Sequence, residues 1–354
     1  MDFREALAHL AGIIDPLLAA DPYPDTVRPD YLAAAVRDYP ARGGKRLRPA
    51  LTCWSGGVFG APLEKLLLPA AAIEVFHNWT LVHDDIIDRD DRRRGAPTTH
   101  VAVAQAVAGR FTAADAVRSG IDFAILCGDL QQAWANDLLL RGTTSGVRPE
   151  VICACARNMQ YLGGQLLISG EAVDVEMSFR DPASVTPDEV RRMIAGKTGA
   201  LLRLAAETGA MIALDTPDRM HPAVQKLGDF AQLCGLAFQL RDDYLGIFGD
   251  ARLGKPLGND LREAKPTLLL ITAFRRLDEA GCRELRSLLK RPETDGTVLD
   301  RAREIFTACG AAAAIETEMN QAAEQAASQL TDLPDNEYRQ WLHDFAAATV
   351  SRQS

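Results

Sequence analysis

The sequence predicts an all-α fold, and three observations support this prediction. Apolar residues recur every three or four positions in long segments rich in alanine and leucine, namely Leu66 to Ile87, Val151 to Glu176 and Met220 to Phe248. A clear helix start lies at Thr186, which can cap the helix before a proline in its first turn, and Glu189 can close a capping box. Strand-like alternation and Asn-Gly hairpin turns are nearly absent.

The chain organisation predicts one large helical domain over residues 1–354. A length of 354 residues alone would suggest about two domains. However, no Pro/Gly/Ser-rich linker divides the chain, and helical patterning runs throughout. The sequence motifs described below fall within about residues 40–270, and further helices occupy 271–354. With 47% hydrophobic residues, such a chain can bury a sizeable core.

Charge and cysteine usage narrow the class of protein. The formal net charge of −9 argues against nucleic acid as a partner, because phosphate binding needs a basic face. The seven cysteines form no CxxC pair and are odd in number, which indicates reduced cytosolic thiols. Asp2 and Glu5 stand where a signal peptide would be basic. No apolar run approaches about 18 residues, so we expect a cytoplasmic protein without a membrane span.

Two aspartate-rich clusters stand 158 residues apart (242 minus 84), each in a predicted helix. Asp84 and Asp88 project from one helical face, with Asp85 beside them, and Asp242-Asp243 form the second cluster. Two carboxylates about 4 Å apart repel by roughly 4 kcal/mol at an effective dielectric constant of about 20. Mg²⁺ can offset this repulsion, because it takes one or two carboxylates and completes its octahedron with water and substrate phosphates.

Basic residues accompany the first cluster. Lys45 and Arg48 follow Gly43-Gly44, and the glycines would allow a close backbone approach to one anion, although a solvated basic loop is the alternative. Arg92-Arg93-Arg94 come directly after the acid cluster, and His77 lies seven residues before it on nearly the same helical face. Acidic and basic residues together indicate a Mg²⁺-diphosphate site.

Two further clusters follow along the chain. Glu171 and Asp174 lie on a predicted helix, and Lys197-Thr198 come later; taken alone, most such residues are solvated. In the fourth cluster an acidic pair ends a mostly apolar helix, and a glycine-rich loop then returns lysines that could neutralise phosphate oxygens while the aspartates hold metal. Its residues are Phe238, Gln239, Asp242, Asp243, Lys255, Asp260 and Lys265.

Taken together, these features resemble the trans-isoprenyl diphosphate synthase (polyprenyl synthetase) family. The resemblance covers roughly residues 40 to 270, with four or five motifs in the correct order. It implies the isoprenoid synthase fold, a single large helical bundle around a deep central cavity whose mouth carries the two acid motifs on facing helices. It also implies a homodimer that condenses isopentenyl diphosphate with an allylic diphosphate.

The resemblance also implies a role for each matching residue. The Mg²⁺ ligands, expected to hold three ions, are Asp84, Asp85, Asp88, Asp242 and Asp243. The pocket for isopentenyl diphosphate is formed by Lys45, Arg48, His77 and Arg94. The catalytic group, which contacts the allylic substrate and its diphosphate, contains Arg93, Lys197, Thr198, Gln239, Lys255 and Lys265, with Phe238 beside it.

Three positions depart from the family pattern. Glu171 occupies the glutamine position of the family's Gln-x-x-Asp motif. Gly246 ends the second acid motif where many members carry aspartate, which leaves one metal ligand fewer; glycine endings are familiar in short-chain, geranylgeranyl-type enzymes. Leu130 replaces the usual tyrosine after Gly-Asp, and we attach little weight to it.

Product length in this family is set by side chains that precede the first acid motif. Trp79 and Phe76 lie five and eight residues before Asp84, roughly 7 and 12 Å deeper along the helix, and Thr80 is their neighbour. These aromatic residues are either the floor of the cavity or ordinary core residues. With Trp79 as floor we expect a twenty-carbon product, geranylgeranyl diphosphate, and next a fifteen-carbon farnesyl product.

Other functions stay open at this point. A longer-chain synthase would need small residues in place of the two aromatic side chains. A class I terpene cyclase would carry an Asn-Ser-Glu type second motif and would lack the isopentenyl pocket. A non-catalytic subunit of a heteromeric synthase would typically have lost one acid motif, whereas both are present here apart from Gly246.

Overall fold

Helices form nearly all the regular structure of the computed structural model, which describes residues 1–249, 257–290 and 296–351. The all-α prediction is therefore confirmed. The three segments that were predicted from periodicity are helical over almost the predicted ranges. The helix start at Thr186 is also confirmed: Thr186 accepts from the backbone N–H of Glu189, and the Glu189 carboxylate accepts from the backbone N–H of Thr186.

The chain forms two compact units, and the first contains Met1–Asn158, Ala205–Val224 and Pro334–Trp341. In this unit α4 (Leu63–Ile87) packs along α6 (Ala113–Leu140), and α5 (Thr99–Val107) also packs against α6. The apolar residues of α4 are distributed around most of its circumference, as expected of a helix that is buried on nearly every side. The complete helices of this unit are α1 (Phe3–Ala19), α2 (Asp30–Ala41), α3 (Leu47–Gly57), α4 (Leu63–Ile87), α5 (Thr99–Val107), α6 (Ala113–Leu140) and α7 (Pro149–Asn158).

The second unit contains Met159–Leu204, Gln225–Leu333 and Leu342–Ser354. Its core forms where α13 packs against α15, α16 and α9. Its helices include α8 (Ile168–Ser178), α9 (Pro187–Ile194), α12 (Asn259–Glu263), α13 (Leu268–Arg276), α14 (Glu279–Leu288), α15 (Gly296–Ala308) and α16 (Ala311–Ser328). Three helices contribute residues to both units: α10 (Ala200–Ala213), α11 (Pro222–Phe248) and α17 (Glu337–Val350). The single domain over 1–354 stays a prediction.

Two segments of the second unit have the wider π-helical turn. Met159–Leu167 connects α7 to α8, and Ala195–Gly199 connects α9 to α10. π-Helical turns inside longer helices are frequent at functional sites. The second of these segments carries Lys197 and Thr198, which the sequence had marked as site residues.

One hairpin was not expected from the sequence. Strand β1 (Arg92–Arg93) pairs antiparallel with β2 (Ala96–Pro97) in the first unit. Its two turn residues, Arg94 and Gly95, have φ values of 52° and 77°, a left-handed pair that suits a tight hairpin turn. The hairpin gives the arginines after the first acid cluster fixed positions.

Two further sequence-based expectations concern the chain as a whole. Among the described residues, no helix is both long enough and apolar enough to cross a membrane. All seven cysteines fall within the described residues, and none forms a disulfide.

Candidate active site

The first acid cluster ends helix α4 in the first unit. Asp88 is the C-cap of α4, and its backbone N–H donates to the carbonyl of Asp84 at 2.8 Å. The Asp88 side chain is exposed and that of Asp84 is partly exposed, whereas Asp85 is fully buried. The cluster therefore presents two accessible carboxylates one helical turn apart.

The buried Asp85 carboxylate is already hydrogen-bonded on both oxygens. One oxygen accepts from the hydroxyl of Tyr39 on α2, and the other accepts from Arg93 Nε at 2.7 Å. The same guanidinium lies 3.4 Å from Asp84. The Tyr39 hydroxyl also accepts from the backbone N–H of Thr99 at 3.3 Å. Asp85 thus joins α2, the hairpin and the start of α5.

A basic pocket, consisting of Arg48, His77 and Arg94, lies on the first unit beside α4. Burial lowers the pKa of the Arg48 guanidinium to about 10; Glu74 opposes this shift and Arg94 adds to it. Within the described part of the chain, no acceptor reaches the buried Nε of Arg48. Burial and the neighbouring arginines, Arg48 and Arg94 foremost, hold the pKa of His77 well below its usual value. The pocket combines crowded cations with a neutral imidazole, which suits a polyanion.

Buried Arg46 holds the loop that precedes Arg48. Its guanidinium donates to Asp15, to Glu74 and to the carbonyl of Pro40, each at 2.6 Å. Its backbone is left-handed, with φ of 48°. Three directional hydrogen bonds in a buried environment fix the loop, so Arg48 enters the pocket from a rigid support.

The loop's glycines make room for the Arg94 side chain, and their predicted close approach to an anion stays a prediction. The Arg94 guanidinium donates to the carbonyl of Gly43. A Cβ on Gly44 would lie 3.2 Å from the Arg94 nitrogens, which is a tight contact.

Aromatic side chains line the stretch of α4 before the acid cluster. The rings of Phe76 and Trp79 pack edge to face with their centroids 4.7 Å apart. The rings of Trp79 and His83 pack in the same way with their centroids 5.9 Å apart. Phe76 is fully buried and Trp79 is 8% exposed. The Thr80 hydroxyl donates to the His77 carbonyl at 2.8 Å, so Thr80 is engaged with its own helix.

In the second unit, a chain of hydrogen bonds runs to the second acid cluster. The Thr198 hydroxyl donates to Gln239 Oε1 at 2.9 Å, and Gln239 Nε2 donates to Asp243 at 2.9 Å. The preceding Phe238 is partly buried on the same helix. The chain orients one Asp243 oxygen and leaves the other for a different partner.

Carboxylates crowd together around Asp243. Burial, followed by the charge of Asp260, raises the pKa of Asp243 to about 7, and Asp242 adds to the shift. A Cβ on Gly246 would lie 3.2 Å from an Asp260 carboxylate oxygen. In this chain a carboxylate from α12 therefore lies beside the position where many members of the resembling family have their last motif aspartate. Crowded carboxylates of this kind suit a divalent cation.

Lys197 sits between two acids. Its ammonium nitrogen lies 2.7 Å from Glu171 and 2.7 Å from Asp174, and Lys265 lies 3.3 Å from Asp174. Burial acts to raise the pKa of Asp174, but Lys265 and Lys197 more than offset it, so the pKa lies below its usual value. Four side chains thus form one compact charge network.

The family assignment follows from a comparison with known families. The polyprenyl synthetase family model matches residues 29–306, most of the chain. The chain belongs to the polyprenyl synthetase family.

Relatives within the polyprenyl synthetase family agree with this assignment. A geranylgeranyl diphosphate synthase of Saccharolobus solfataricus is 36% identical over 268 residues, 75% of this chain and 73% of that protein. A geranylfarnesyl diphosphate synthase of Aeropyrum pernix is 34% identical over 333 residues, 92% of this chain and 96% of its own. The predicted prenyltransferase class is confirmed.

Solved structures of the family share the fold. Geranylgeranyl pyrophosphate synthase from Corynebacterium glutamicum, crystallised with isoprenyl diphosphate and magnesium, has a TM-score of 0.84 and 29% identity, with 100% of both chains covered. The predicted isoprenoid synthase fold is therefore confirmed.

The acid clusters are suited to partial coordination of Mg²⁺, the ion in this neighbour's structure. Within the described residues, no group of three or more His, Cys, Asp or Glu side chains could hold a metal ion unaided. Mg²⁺ usually needs only one or two carboxylates and takes its other ligands from water and substrate phosphates. The exposed Asp88, the partly exposed Asp84 and the crowded Asp243 fit such partial coordination.

The remaining predicted residues differ in how they are placed. Lys45 is exposed, and Arg93 is engaged with the first acid cluster. Lys255 lies outside the described residues. Sequence reasoning missed Tyr39 and Glu74, because their partners are distant in the chain: Tyr39 and Asp85 are 46 positions apart. A polar residue at a core position of an apolar helix, such as Glu74 on α4, was the available signal.

Proposed function

We propose that this member of the family condenses isopentenyl diphosphate head to tail with an allylic diphosphate and forms geranylgeranyl diphosphate. The observation that carries the proposal is the arrangement along α4 in the first unit. His77, within the basic pocket, precedes Asp84 by seven residues, a rise of about 10 Å. One helix thus bears an anion-binding group and two carboxylates suited to Mg²⁺.

In this proposal the basic pocket binds the diphosphate of isopentenyl diphosphate. Arg48 brings an unused buried donor, Arg94 brings a second guanidinium, and neutral His77 adds a hydrogen bond without further repulsion. The exposed Lys45 can approach the same anion from the loop. Arginines suit this task, since the planar guanidinium matches phosphate oxygens in pairs.

The acid clusters are proposed to bind the allylic diphosphate through Mg²⁺. Asp84, Asp85 and Asp88 supply the ligands of the first cluster, and Asp85 also holds the Arg93 guanidinium. Asp242 and Asp243 supply the second cluster, and Lys197, Lys265 and Lys255 neutralise phosphate oxygens. When bound, three Mg²⁺ ions would stabilise the negative charge on the departing diphosphate.

The chemistry breaks one bond and forms another. The allylic C–O bond breaks, diphosphate departs with the electron pair, and the isopentenyl double bond attacks the resulting allylic cation. The new C–C bond is followed by loss of a proton to the released diphosphate. Thr198 and Gln239 line the reacting carbon, and the protein contributes positioning and electrostatics rather than a covalent step.

Product length is proposed to depend on Trp79. Its ring is held by Phe76 on one side and His83 on the other, so it cannot swing aside easily. Such a fixed ring suits a floor that stops elongation. We also expect a cytoplasmic homodimer.

The test is incubation of purified protein with Mg²⁺, isopentenyl diphosphate and, separately, dimethylallyl, geranyl and farnesyl diphosphates, with products identified by mass. We expect a dominant twenty-carbon diphosphate. The W79A variant should give longer products and W79F should change them less. A fifteen-carbon or long product would retain the reaction and exclude Trp79 as the floor. Failure to condense any primer would reject the proposed function and favour the subunit or cyclase alternatives.

A further inference from the structure

We propose that Glu171 competes with the substrate diphosphate for Lys197 and thereby weakens binding of the allylic substrate. This inference rests on the proposed function, in which Lys197 contacts that substrate. It gives a role to a residue that departs from the family pattern. Glu171 then tunes affinity at the site without itself touching the reacting atoms.

The geometry places Glu171 as a second acid on a lysine that already has one. Lys197 lies 2.7 Å from each of Glu171 and Asp174. The Asp174 side chain is the more buried of the two, 8% exposed against 17% for Glu171. Because Asp174 alone can hold the lysine in place, the second carboxylate is not needed to orient it.

The charges of these four side chains cancel before any substrate arrives, and Asp260 and Asp243 bring further negative charge close to Lys265. Lys197 and Lys265 bring two positive charges, and Glu171 and Asp174 bring two negative ones. An incoming diphosphate therefore meets no net positive charge here, and it competes with two carboxylates for the Lys197 ammonium. A neutral amide at position 171 would remove one negative charge from the surroundings of Lys197.

Backbone packing makes the contact between Glu171 and Lys197 persistent. A Cβ on Gly170 would lie 2.3 Å from the backbone nitrogen of Lys197 and 2.8 Å from the carbonyl carbon of Gly196. Two glycines thus let α8 approach the π-helical segment at backbone distance. Glu171, the next residue along α8, is held against Lys197 by the helices themselves.

The experiment compares full-length wild-type protein with E171Q, which removes the charge and keeps the side-chain size. Each protein is titrated with inorganic pyrophosphate by calorimetry at low and high ionic strength, and the KM for geranyl diphosphate is measured. E176Q is the matched control, since Glu176 is an exposed acid on the same helix. E171A tests the same point if E171Q does not fold, as judged by circular dichroism.

We expect E171Q to bind pyrophosphate about fivefold more tightly at low salt, the usual scale for one partly exposed charge pair, with a smaller gain at high salt. The KM for geranyl diphosphate should fall by a similar factor, with kcat much less affected, because the interaction is lost equally in ground and transition states. E176Q should match wild type.

Equal or weaker pyrophosphate binding by E171Q would overturn the inference. Absence of condensation by wild type would instead reject the proposed function, and the pyrophosphate titration would still judge Glu171.

Discussion

His77 combines a residue type that normally titrates near neutral pH with surroundings that prevent its protonation. Burial is the largest cause of its lowered pKa, and the charges of Arg48, Arg94, Arg93 and Arg46 act in the same direction. The imidazole is therefore neutral in the folded protein where an exposed histidine would be partly charged. Its contribution to anion binding is a hydrogen bond, with the pocket's charge supplied by arginine.

A neutral side chain of similar reach should replace His77. We expect H77Q to keep the KM for isopentenyl diphosphate within about threefold, whereas H77A should raise it by about tenfold, the usual cost of one hydrogen bond to a charged group. Steady-state kinetics checks both values. If H77Q were as impaired as H77A, the imidazole would have a role beyond a neutral hydrogen bond.

The same group affects stability in a defined pH range. Below about pH 6.5 His77 becomes protonated in the unfolded chain but stays neutral in the folded chain, because its pKa is lowered there. The free energy of unfolding therefore falls as the pH drops. H77Q lacks this proton and should lose less stability between pH 7.5 and 5.5. Urea unfolding across this pH range checks the difference, with the exposed His343→Gln as control. Parallel curves for wild type and H77Q would contradict the neutral assignment.

At the scale of elements, the end of α11 and the start of α12 are built against each other. The backbone N–H of Gly258 donates to the carbonyl of Gly246 at 2.8 Å, and that of Lys265 donates to the carbonyl of Asp260 at 2.8 Å. These bonds place Asp260 beside Gly246 and near Asp243. Glycine at position 246 therefore suits its surroundings, because the Asp260 carboxylate occupies the space beside it.

Restoring the aspartate at position 246 should consequently harm the protein. G246D adds a carboxylate against Asp260, and we expect it to lower the free energy of unfolding without Mg²⁺ by about 1–3 kcal/mol. It should not tighten Mg²⁺ binding. Urea unfolding and calorimetric Mg²⁺ titration measure both effects. G246A adds the Cβ without charge and separates steric from electrostatic cost. Tighter Mg²⁺ binding by G246D would contradict this prediction and would mean that Gly246 leaves the site one Mg²⁺ ligand short.

The elements also show where sequence reasoning succeeds and where it stops. Helix α4 and the capping box at Thr186 were predictable because their signals are local: apolar spacing in one case, and a three-residue hydrogen-bond exchange in the other. The hairpin was missed because Arg94-Gly95 is a weaker turn signal than Asn-Gly.

Long-range pairings leave no such local signal. The sequence grouped Asp85 with its neighbours as a metal ligand, which stays a prediction, and spacing could not reveal that Tyr39 and Arg93 contact both of its oxygens. Similarly, the position of Asp260 beside Gly246 depends on how two elements pack. Residue types and motif order therefore indicated the site, while the contacts that hold its residues in place required the fold.

At the scale of the whole molecule, helix α6 presents an apolar ridge to solvent. Val117, Ile121 and Ile125 are 63%, 39% and 44% exposed, and their spacing of four residues puts them on one helical face. Val117 and Ile121 also line a groove of about 520 Å³ beside α5. A ridge next to a groove on one surface is the arrangement that lets two identical copies cover each other around a two-fold axis.

We therefore expect this ridge to lie in the homodimer interface, and charge placed on it should separate the subunits. In I121E each glutamate would be desolvated at the interface without a partner, so the dimer should dissociate at concentrations where wild type remains intact. Light scattering coupled to size exclusion, over a range of concentrations, measures the mass of each form. I168E is the matched control, since Ile168 is an equally apolar, half-exposed residue on a different helix, α8. Circular dichroism establishes that both variants are folded.

A wild-type monomer would reject the homodimer, and a dimeric I121E would place the interface on another surface. A folded I121E monomer beside an I168E dimer would instead tie assembly to α6, the helix that packs along α4 and its acid cluster.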